Sequence, residues 1–234
     1  MRPFCGALYR VTWGRVDEHA LFRFSPEAIV AIQCWRAMLC LVRFRETEFT
    51  RSIESFAPAT PVLVAEFDSS LSGAGLIWSE RTDGSEVVRG VSAVNLAFLE
   101  FGVDSSNQNL AEYIGAILAV IGQVMLGFSG TGIALRGDSV AALTWTMTER
   151  PRGVRVTNAS MVWTLLCIAA DVEVKEVTHI AGEDNGRFDR LSRRWDIGKI
   201  PTISVSEEAE ETGLTGFVVV EMDMEQSVRG IMEL

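Results

Sequence analysis

Four acidic residues stand at the ends of predicted strands or on predicted helices, among apolar neighbours. Asp68 ends one strand-like run of apolar residues, and Asp138 ends another. Glu112 lies near the start of a long helical pattern, and Asp189 lies on a short helix further along the chain. A carboxylate withdrawn from water requires a partner, a metal ion or a catalytic task, because desolvation of its charge is costly. These four residues are therefore the candidates for chemistry.

One mixed sheet could bring these carboxylates together. If the strands that end in Asp68 and Asp138 are neighbours, both side chains lie at the same edge, and the helices carrying Glu112 and Asp189 can pack across it. Such a cluster is unfavourable unless hard cations fill it, and Mg²⁺ prefers oxygen ligands. Two Mg²⁺ ions roughly 3.5–4 Å apart would form a clamp for in-line attack on a phosphodiester.

Each carboxylate also has an ordinary explanation. A lone Asp at a strand end commonly forms a turn or a helix cap, and Asp138 could cap the helix that follows it. Glu112 could be a first-turn acid that the helix dipole favours. Asp189 could be a surface partner of Arg190 or Arg193. These explanations account for each residue singly, but not for the context that the four share.

The elements around these residues alternate in a regular way. An Asp-Gly pair within 81–85 is typical of a tight hairpin between two strands. Three antiparallel strands followed by helix–strand units predict an α/β fold, with a mixed five-stranded sheet flanked by helices. The predicted strands cover 62–68, 74–79, 86–92, 132–137 and 172–178, and the predicted helices cover 108–126, 139–149, 158–170 and a short segment from about 185.

We predict three regions along the chain. Residues 1–61 form an N-terminal helical, connection-like region, which the proline-containing segment 57–61 separates from the main domain over 62–200. Within it, the pattern predicts a helix over 25–44 with Ser25 as its N-cap. The expected apolar stripe of this helix consists of Ile29, Ile32, Trp35, Leu39 and Val42. Residues 201–234 form an acidic C-terminal tail, which we expect to be partly disordered, with one β-like stretch over 216–224.

The net charge of −10 argues at first against a nucleic-acid partner. Its distribution changes that interpretation, since residues 1–60 carry +2, residues 61–200 carry −5 and residues 201–234 carry −7. The tail is therefore the most acidic region. Nearly all cations are Arg, because Lys occurs only at Lys175 and Lys199. Arg suits phosphate recognition but does not prove it.

The cysteines and the apolar runs bound the class of protein. Neither a zinc site nor a disulfide framework is indicated by the scattered Cys5, Cys34, Cys40 and Cys167, so we expect buried thiols in a reducing compartment. No apolar run approaches the length of a membrane span, and the first residues lack the apolar segment of a signal peptide. We therefore expect an intracellular protein that is neither secreted nor membrane-bound.

Four motifs occur in order along residues 62–195. They are 68-DSSLSGAG-75, 106-SNQNLAEYIGAIL-118, 137-GDSVAALTW-145 and 179-HIAGEDNGRFDRLSR-193. In order and surroundings they resemble the ribonuclease H family, particularly the ribonuclease H domains of retroelement reverse transcriptases. That family shows an Asp in D-x-S-x-x-G-x-G, a Glu on a helix after polar residues, a D-S at a strand end and a closing H-x-x-G-x-x-N-x-x-x-D-x-L-S-R.

The resemblance implies a role for each motif residue. The metal-binding carboxylates would be Asp68, Glu112, Asp138 and Asp189. His179 matches a mobile His that assists proton transfer or product release, although an ordinary strand-end His is the alternative.

Other residues match substrate contacts of the family. Asn185 matches an Asn that orders its loop and reaches the substrate. Gln108 and Asn109 match polar residues that read the minor groove, where the 2′-OH distinguishes RNA from DNA, and a helix N-terminal cap is the alternative for both. The chain departs from the family in two places. First, the connection after the second helix is short. Its Arg150, Arg152 and Arg155 could contact phosphate or lie in a solvated loop. Second, Phe188 stands where related domains often have a small residue.

The function that the resemblance implies is a Mg²⁺-dependent endonuclease acting on RNA/DNA hybrids. It would hydrolyse the RNA strand with two Mg²⁺ ions, for which Mn²⁺ can substitute, and leave 5′-phosphate products. The chain would be part of a reverse transcriptase or derived from one, with the polymerase part of a larger polyprotein as a partner. Two alternatives stay open: a non-catalytic module of the same fold that binds nucleic acid or protein, and a two-metal nuclease acting on DNA.

Overall fold

The computed structural model describes residues 24–44, 61–101, 104–148, 154–196, 199 and 201–222. Cys5, Arg150 and Arg152 lie outside these ranges. The helices are α1 (Pro26–Phe44), α2 (Ser105–Met125), α3 (Val140–Thr148), α4 (Val154–Ala170), α5 (Gly186–Ser192) and α6 (Val205–Glu211). The strands are β1 (Leu63–Ser69), β2 (Gly73–Thr82), β3 (Ser85–Asn95), β4 (Gly132–Gly137), β5 (Glu173–His179) and β6 (Val218–Val219).

The strands form one mixed sheet in the order β5-β4-β1-β2-β3-β6. β1, β2 and β3 are antiparallel neighbours, whereas β4 pairs in parallel with β1 and β5. The hairpin between β2 and β3 turns at Asp83 and Gly84, whose φ angles of 50° and 82° are those of a two-residue turn. The predicted α/β fold is confirmed. The predicted number of strands is wrong by one, because β6 adds to β3 in parallel.

The main core lies between the sheet and helices α2, α3 and α4. It includes Phe67, Trp78 and Tyr113, which are fully buried. The indole N–H of Trp78 donates to the carbonyl oxygen of Ala119 at 2.9 Å, so the largest core side chain is satisfied as well as buried. A second cluster lies on the opposite face, where α5 and α6 pack against β2 and β3. The sheet is therefore covered on both sides next to the edge that carries the predicted site.

Helix α1 starts as predicted, but a different face is buried. The backbone N–H of Ala28 donates to the Ser25 hydroxyl at 3.3 Å, which makes Ser25 the N-cap. Ala28 and Ala31 are fully buried, and Ala31 packs with Met161 of α4. The predicted stripe is wrong for Ile29, Ile32 and Leu39, which are exposed. The alanine face of α1 is the buried one because small side chains allow α1 and α4 to approach closely.

The segment after residue 203 is ordered as far as residue 222, so the prediction of disorder is wrong for this part. Ser204 forms a capping box with Glu207, and helix α6 follows over Val205–Glu211. Ala209 and Leu214 are buried in the second cluster, and Val220 is buried in the main core. Acidic composition did not prevent folding, because apolar residues placed between the acids face the sheet.

Two further predictions concern cysteines and membranes. Cys34 and Cys167 are free and half-buried, and Cys40 is free and exposed, so burial was wrongly predicted for Cys40. Among the helices of the described ranges, none has the length and apolar character that a membrane crossing requires.

Candidate metal centre

The parallel pairing of β1 with β4 sets two of the predicted carboxylates side by side. In this register Glu66 lies opposite Arg136. Two residues further along each strand the same register leads to Asp68 and Asp138, at the carboxyl ends of both strands. Asp68 is buried and Asp138 is half-buried. The sheet itself therefore explains why these two residues meet.

Helix α2 supplies the third carboxylate. The helix begins at Ser105, with Asp104 as its N-cap, so Glu112 lies in the third turn and the first-turn explanation fails. Glu112 is 4% exposed. Helix α2 packs closely against β1 at Gly115, where a Cβ would lie 2.4 Å from the Ser69 hydroxyl oxygen, so only glycine fits there.

Hydrogen bonds hold the Glu112 carboxylate in place. The side-chain amide of Gln108 donates to Glu112 Oε1 at 3.0 Å and to the Ser69 carbonyl oxygen at 2.7 Å. The other carboxylate oxygen, Glu112 Oε2, is buried without a hydrogen-bond partner. Gln108 is therefore within the helix rather than at its cap, and it orients the carboxylate.

Asp68, Glu112 and Asp138 form a compact cluster. One carboxylate oxygen from each lies within 4.8 Å of those of the other two. Burial, followed by the charges of Asp68 and Asp138, raises the pKa of Glu112 to about 9. Burial also raises the pKa of Asp68, and two hydrogen bonds to its carboxylate partly offset this rise. The helix-cap explanation of Asp138 fails, because the Ser139 hydroxyl accepts from the Ala142 N–H in that role.

Two residues near the carboxyl end of the domain bond Asp68. The side-chain amide of Asn185 donates to Asp68 Oδ1 at 3.0 Å, and the Ser192 hydroxyl donates to Oδ2 at 2.5 Å. Both residues are buried, and Asn185 Oδ1 has no hydrogen-bond partner. Ser192 was not among the predicted site residues, although it stands in the closing L-S-R of the fourth motif. Its position within that motif is the signal that could have identified it.

Glycines of the first motif let α5 reach the site. A Cβ on Gly75 would lie 2.4 Å from the carbonyl oxygen of Phe188 and 2.7 Å from Leu191 Cβ. A Cβ on Gly73 would lie 2.5 Å from the Ser192 carbonyl oxygen. Only glycine fits at such an approach, so the spacing G-x-G in β2 and the position of α5 are one structural unit.

Phe188 is accommodated by the second cluster. Its side chain is buried there with Ile77 and Leu191 from the domain and with Ala209 and Leu214 from the C-terminal segment. The bulky residue therefore does not displace α5. Instead it anchors this helix in a cluster that the C-terminal segment helps to form.

The fourth predicted carboxylate lies outside the cluster. Asp189 Oδ1 accepts from Arg193 Nε at 2.5 Å, which is the ion pair that the ordinary explanation anticipated. Its side chain is 37% exposed. Its charge nevertheless raises the pKa of Asp68, less than burial and the charge of Asp138 do, while the hydrogen bonds from Ser192 and Asn185 lower this pKa. Metal binding by Asp189 stays a prediction.

The remaining predicted residues lie at varying distances from the cluster. His179 is exposed at the end of β5 and pairs with Gly137, the residue before Asp138. Asn109 is half-buried on α2, beside Gln108. Arg155 is exposed at the start of α4. Their substrate and proton-transfer roles stay predictions, as do those of Arg150 and Arg152, which lie outside the described residues.

Glu66, which shares a face of β1 with Asp68, does not join the cluster. Its carboxylate accepts from Arg136 Nη1 at 3.2 Å. The same guanidinium bonds Glu86 at 2.7 and 2.8 Å, so the ion pairs form a network along the sheet. The charge of Glu66 is thereby neutralised away from the carboxylate site.

The cluster fits a hard divalent cation. Its donors are carboxylate oxygens, which Mg²⁺ and Mn²⁺ prefer. Glu112 Oε2 is buried and unpartnered, so a cation would bond it and offset both the burial and the repulsion that raise the pKa of Glu112. In the described part of the chain, this cluster is the group of three acidic side chains with the geometry of a metal site.

No protein-family model and no curated protein matches this chain. Several solved structures do. RNase H1 from the halophilic archaeon Halobacterium salinarum NRC-1 is 23% identical, with a TM-score of 0.41, over 56% of this chain and 95% of that one. LC11-RNase H1, isolated from compost by a metagenomic approach, is 15% identical, with a TM-score of 0.38, over 56% and 93%. The human cytomegalovirus terminase nuclease domain is 10% identical, with a TM-score of 0.30, over 82% and 84%.

These likenesses concern the fold. The strand order and the meeting of Asp68 with Asp138 at one edge are what the motifs led us to expect. RNase H1 structures are among those to which this chain is similar, as the motifs led us to expect. The reverse-transcriptase context stays a prediction.

Proposed function

We propose that this chain is a metal-dependent nuclease that hydrolyses the RNA strand of RNA/DNA hybrids. The observation that carries the proposal is the cluster of Asp68, Glu112 and Asp138, with carboxylate oxygens within 4.8 Å of one another. Without a cation there, the protein carries the cost of burying two acidic side chains next to a third, and their hydrogen bonds offset this cost only in part. The fold and the order of the motifs support ribonuclease H chemistry in particular.

The carboxylates would hold two Mg²⁺ ions, with Asp189 joining them once its ion pair with Arg193 opens. When bound, the two ions would supply Lewis acidity for attack of water on the phosphodiester and for departure of the 3′ oxygen. Product strands would then carry 5′-phosphates, as the family resemblance implies.

The chain's own groups orient the ligands. Gln108 and the Ser69 backbone fix Glu112, while Asn185 and Ser192 fix the two oxygens of Asp68. Such supporting hydrogen bonds set the direction of a metal ligand and its basicity. His179, exposed beside the site, would take up or release a proton at its imidazole as the product leaves.

Cleavage of an end-labelled RNA/DNA hybrid in Mg²⁺ tests the proposal. We expect cuts in the RNA strand, suppressed by EDTA and abolished in Asp138→Asn and in Asp68→Asn. The matched control is Asp83→Asn, which removes one charge from a hairpin turn whose left-handed backbone Asn also adopts. Unchanged cleavage by Asp138→Asn would refute the assignment.

Substrate class is tested with matched duplexes. Cleavage of duplex DNA instead of the hybrid would favour the alternative two-metal DNA nuclease. Absence of both cleavage and Mg²⁺ or Mn²⁺ binding, with the protein folded, would favour the non-catalytic module. The cost of burying Glu112 speaks against that module, because a scaffold gains nothing from a carboxylate whose pKa is raised to about 9.

The proposed origin in a retroelement reverse transcriptase rests on the four motifs. It is tested by reading the coding sequence that flanks this one. A polymerase region in the same reading frame would support it, together with the polymerase part as a partner.

A further inference from the structure

An open groove of about 680 Å³ lies beside Asp189, between α5 and the residues over 201–203. Four cations line it, and two carboxylates line it with them: Arg190, Arg193, Arg194 and Lys199, with Asp189 and Glu208. Residues 187–199 hold five cations against two carboxylates, in a chain whose net charge is −10. The stretch therefore carries a local excess of positive charge, opposite in sign to the net charge of the chain.

Two of these cations are committed to the fold. Arg194 has a side chain only 11% exposed, and it bonds Glu208 at 2.6 Å and the Ile203 carbonyl oxygen. Arg190 pairs with Glu208 and with Glu211. Both guanidinium groups tie α5 to α6 or to the residue Ile203 before it, so we assign them to the fold rather than to a ligand.

The other two cations are available. Arg193 and Lys199 have side chains 56% and 55% exposed. Arg193 uses Nε for Asp189, and a guanidinium has several further N–H donors in a fork that matches phosphate. Lys199 makes only a long contact of 3.4 Å with Asp196 and a bond of 3.1 Å to the Arg193 carbonyl oxygen. They stand together at the groove.

We propose that Arg193 and Lys199 bind backbone phosphate of the nucleic acid strand as it passes through this groove beside the metal centre. The inference rests on the proposed function, since it places the strand relative to the cluster. Arg193 has a double use: it pairs with Asp189 in the absence of a ligand, and it turns to phosphate when Asp189 turns to a cation. The contact carries no sequence information, because phosphate is the same at every nucleotide.

Binding of a fluorescein-labelled RNA/DNA hybrid of mixed sequence, followed by fluorescence anisotropy in EDTA, tests the inference without cleavage. For Arg193→Gln/Lys199→Gln we expect about tenfold weaker binding at moderate salt. The plot of log K against log salt concentration should also become less steep, its slope being less negative by about 2. The matched control is Arg36→Gln/Arg89→Gln, which removes two exposed cations that do not line the groove. It should retain the wild-type affinity to within about twofold. Thermal unfolding verifies that both variants are folded.

The outcomes separate this inference from the proposed function. Equal hybrid affinity and salt slope in the groove variant and the wild type would overturn the inference, whatever the cleavage assay gives. Equal losses in the groove variant and the control variant would also overturn it, because the effect would then follow net charge alone. A selective loss with a wild type that binds but does not cleave would leave the groove standing and refute the nuclease. Inorganic phosphate at millimolar concentration should not displace the hybrid; displacement at low millimolar levels would assign the groove to free phosphate instead.

Discussion

The Ser192 hydroxyl donates to Asp68 Oδ2 at 2.5 Å and joins helix α5 to the end of strand β1 across 124 residues of sequence. The side-chain amide of Asn185 donates to the other oxygen, so both oxygens of this buried carboxylate are held by hydrogen bonds. The Asp68 carboxylate is thus held in place by the short helix that carries Asp189 and by the residue that precedes it.

Replacement of Ser192 by Ala should weaken the metal centre. Loss of this donor raises the pKa of Asp68 further above its usual value and frees the carboxylate to rotate. We expect affinity for Mn²⁺, measured by isothermal titration calorimetry, to decrease about 10- to 100-fold, as for other supporting hydrogen bonds at metal sites. Ser85→Ala is the control, since that exposed hydroxyl bonds only the Thr82 carbonyl oxygen of the hairpin. Wild-type Mn²⁺ affinity in Ser192→Ala would contradict this role.

Glu112 should make the metal-free protein less stable as pH rises. Its pKa is about 9 in the folded chain and near 4.5 when unfolded, so the folded state binds more protons between these values. The stabilisation from protonated Glu112 is complete below pH 4.5, and it is lost progressively as pH rises through about 9. Urea unfolding in EDTA from pH 5 to pH 9 measures this decline.

Glu112→Gln removes the titrating group and keeps its shape. At pH 9 in EDTA we expect this variant to exceed the wild type in free energy of unfolding by on the order of 1–3 kcal/mol. Glu210→Gln, at an exposed position of α6, should leave the pH dependence unchanged. Saturating Mg²⁺ should flatten the slope of the wild type, since the cation replaces the proton. An equal slope in Glu112→Gln and the wild type would exclude Glu112 as the cause.

Gly75→Ala should displace α5. The added methyl group would lie 2.4 Å from the Phe188 carbonyl oxygen, so the helix must move away from β2. We expect a destabilisation of about 1–3 kcal/mol in urea unfolding, together with a loss of metal affinity. Gly182→Ala is the matched control, because nothing lies within 4 Å of a Cβ at that position. Equal stability of the two variants would argue against close packing at Gly75.

Glu208→Ala tests whether the C-terminal segment supports the site. Glu208 is 7% exposed and accepts from both Arg190 and Arg194, so its removal leaves the nearly buried Arg194 without its carboxylate. The expected destabilisation is on the order of 3 kcal/mol. Glu210→Ala, on the exposed side of the same helix, should cost less than about 0.5 kcal/mol. Limited proteolysis should then cut first between α5 and α6 in Glu208→Ala.

Local patterns predicted the parts of the fold that local physics determines. The Asp-Gly turn, the Ser25 cap and the positions of the strands follow from short-range backbone preferences, and the edge shared by Asp68 and Asp138 follows from parallel pairing. The start of α2 was predicted three residues late, because Asp104 was not recognised as its cap. Correct placement of the cap also moves Glu112 from the helix start to its third turn.

Long-range contacts explain what the patterns missed. The role of Ser192 depends on the approach of α5 to β1, and two glycines of a distant strand decide that approach. The fate of the acidic segment depended on which apolar residues lay between the acids, and Ala209 and Leu214 had a cluster to join. For α1 the helix itself was predicted correctly from the spacing of its apolar residues. The face that packs against α4, however, is the one with Ala31 rather than the one with Ile29 and Ile32.

The sequence separation within the site has a kinetic consequence. Asp68 is bonded by residues 117 and 124 positions further along the chain, so its supporting bonds close only after most of the domain has been ordered. Closure of such long loops costs entropy and delays the transition, as in other folds dominated by non-local pairing. Appearance of tight Mn²⁺ binding during refolding should therefore lag behind the recovery of helical circular dichroism, and a bound cation would report that the last step of folding is complete.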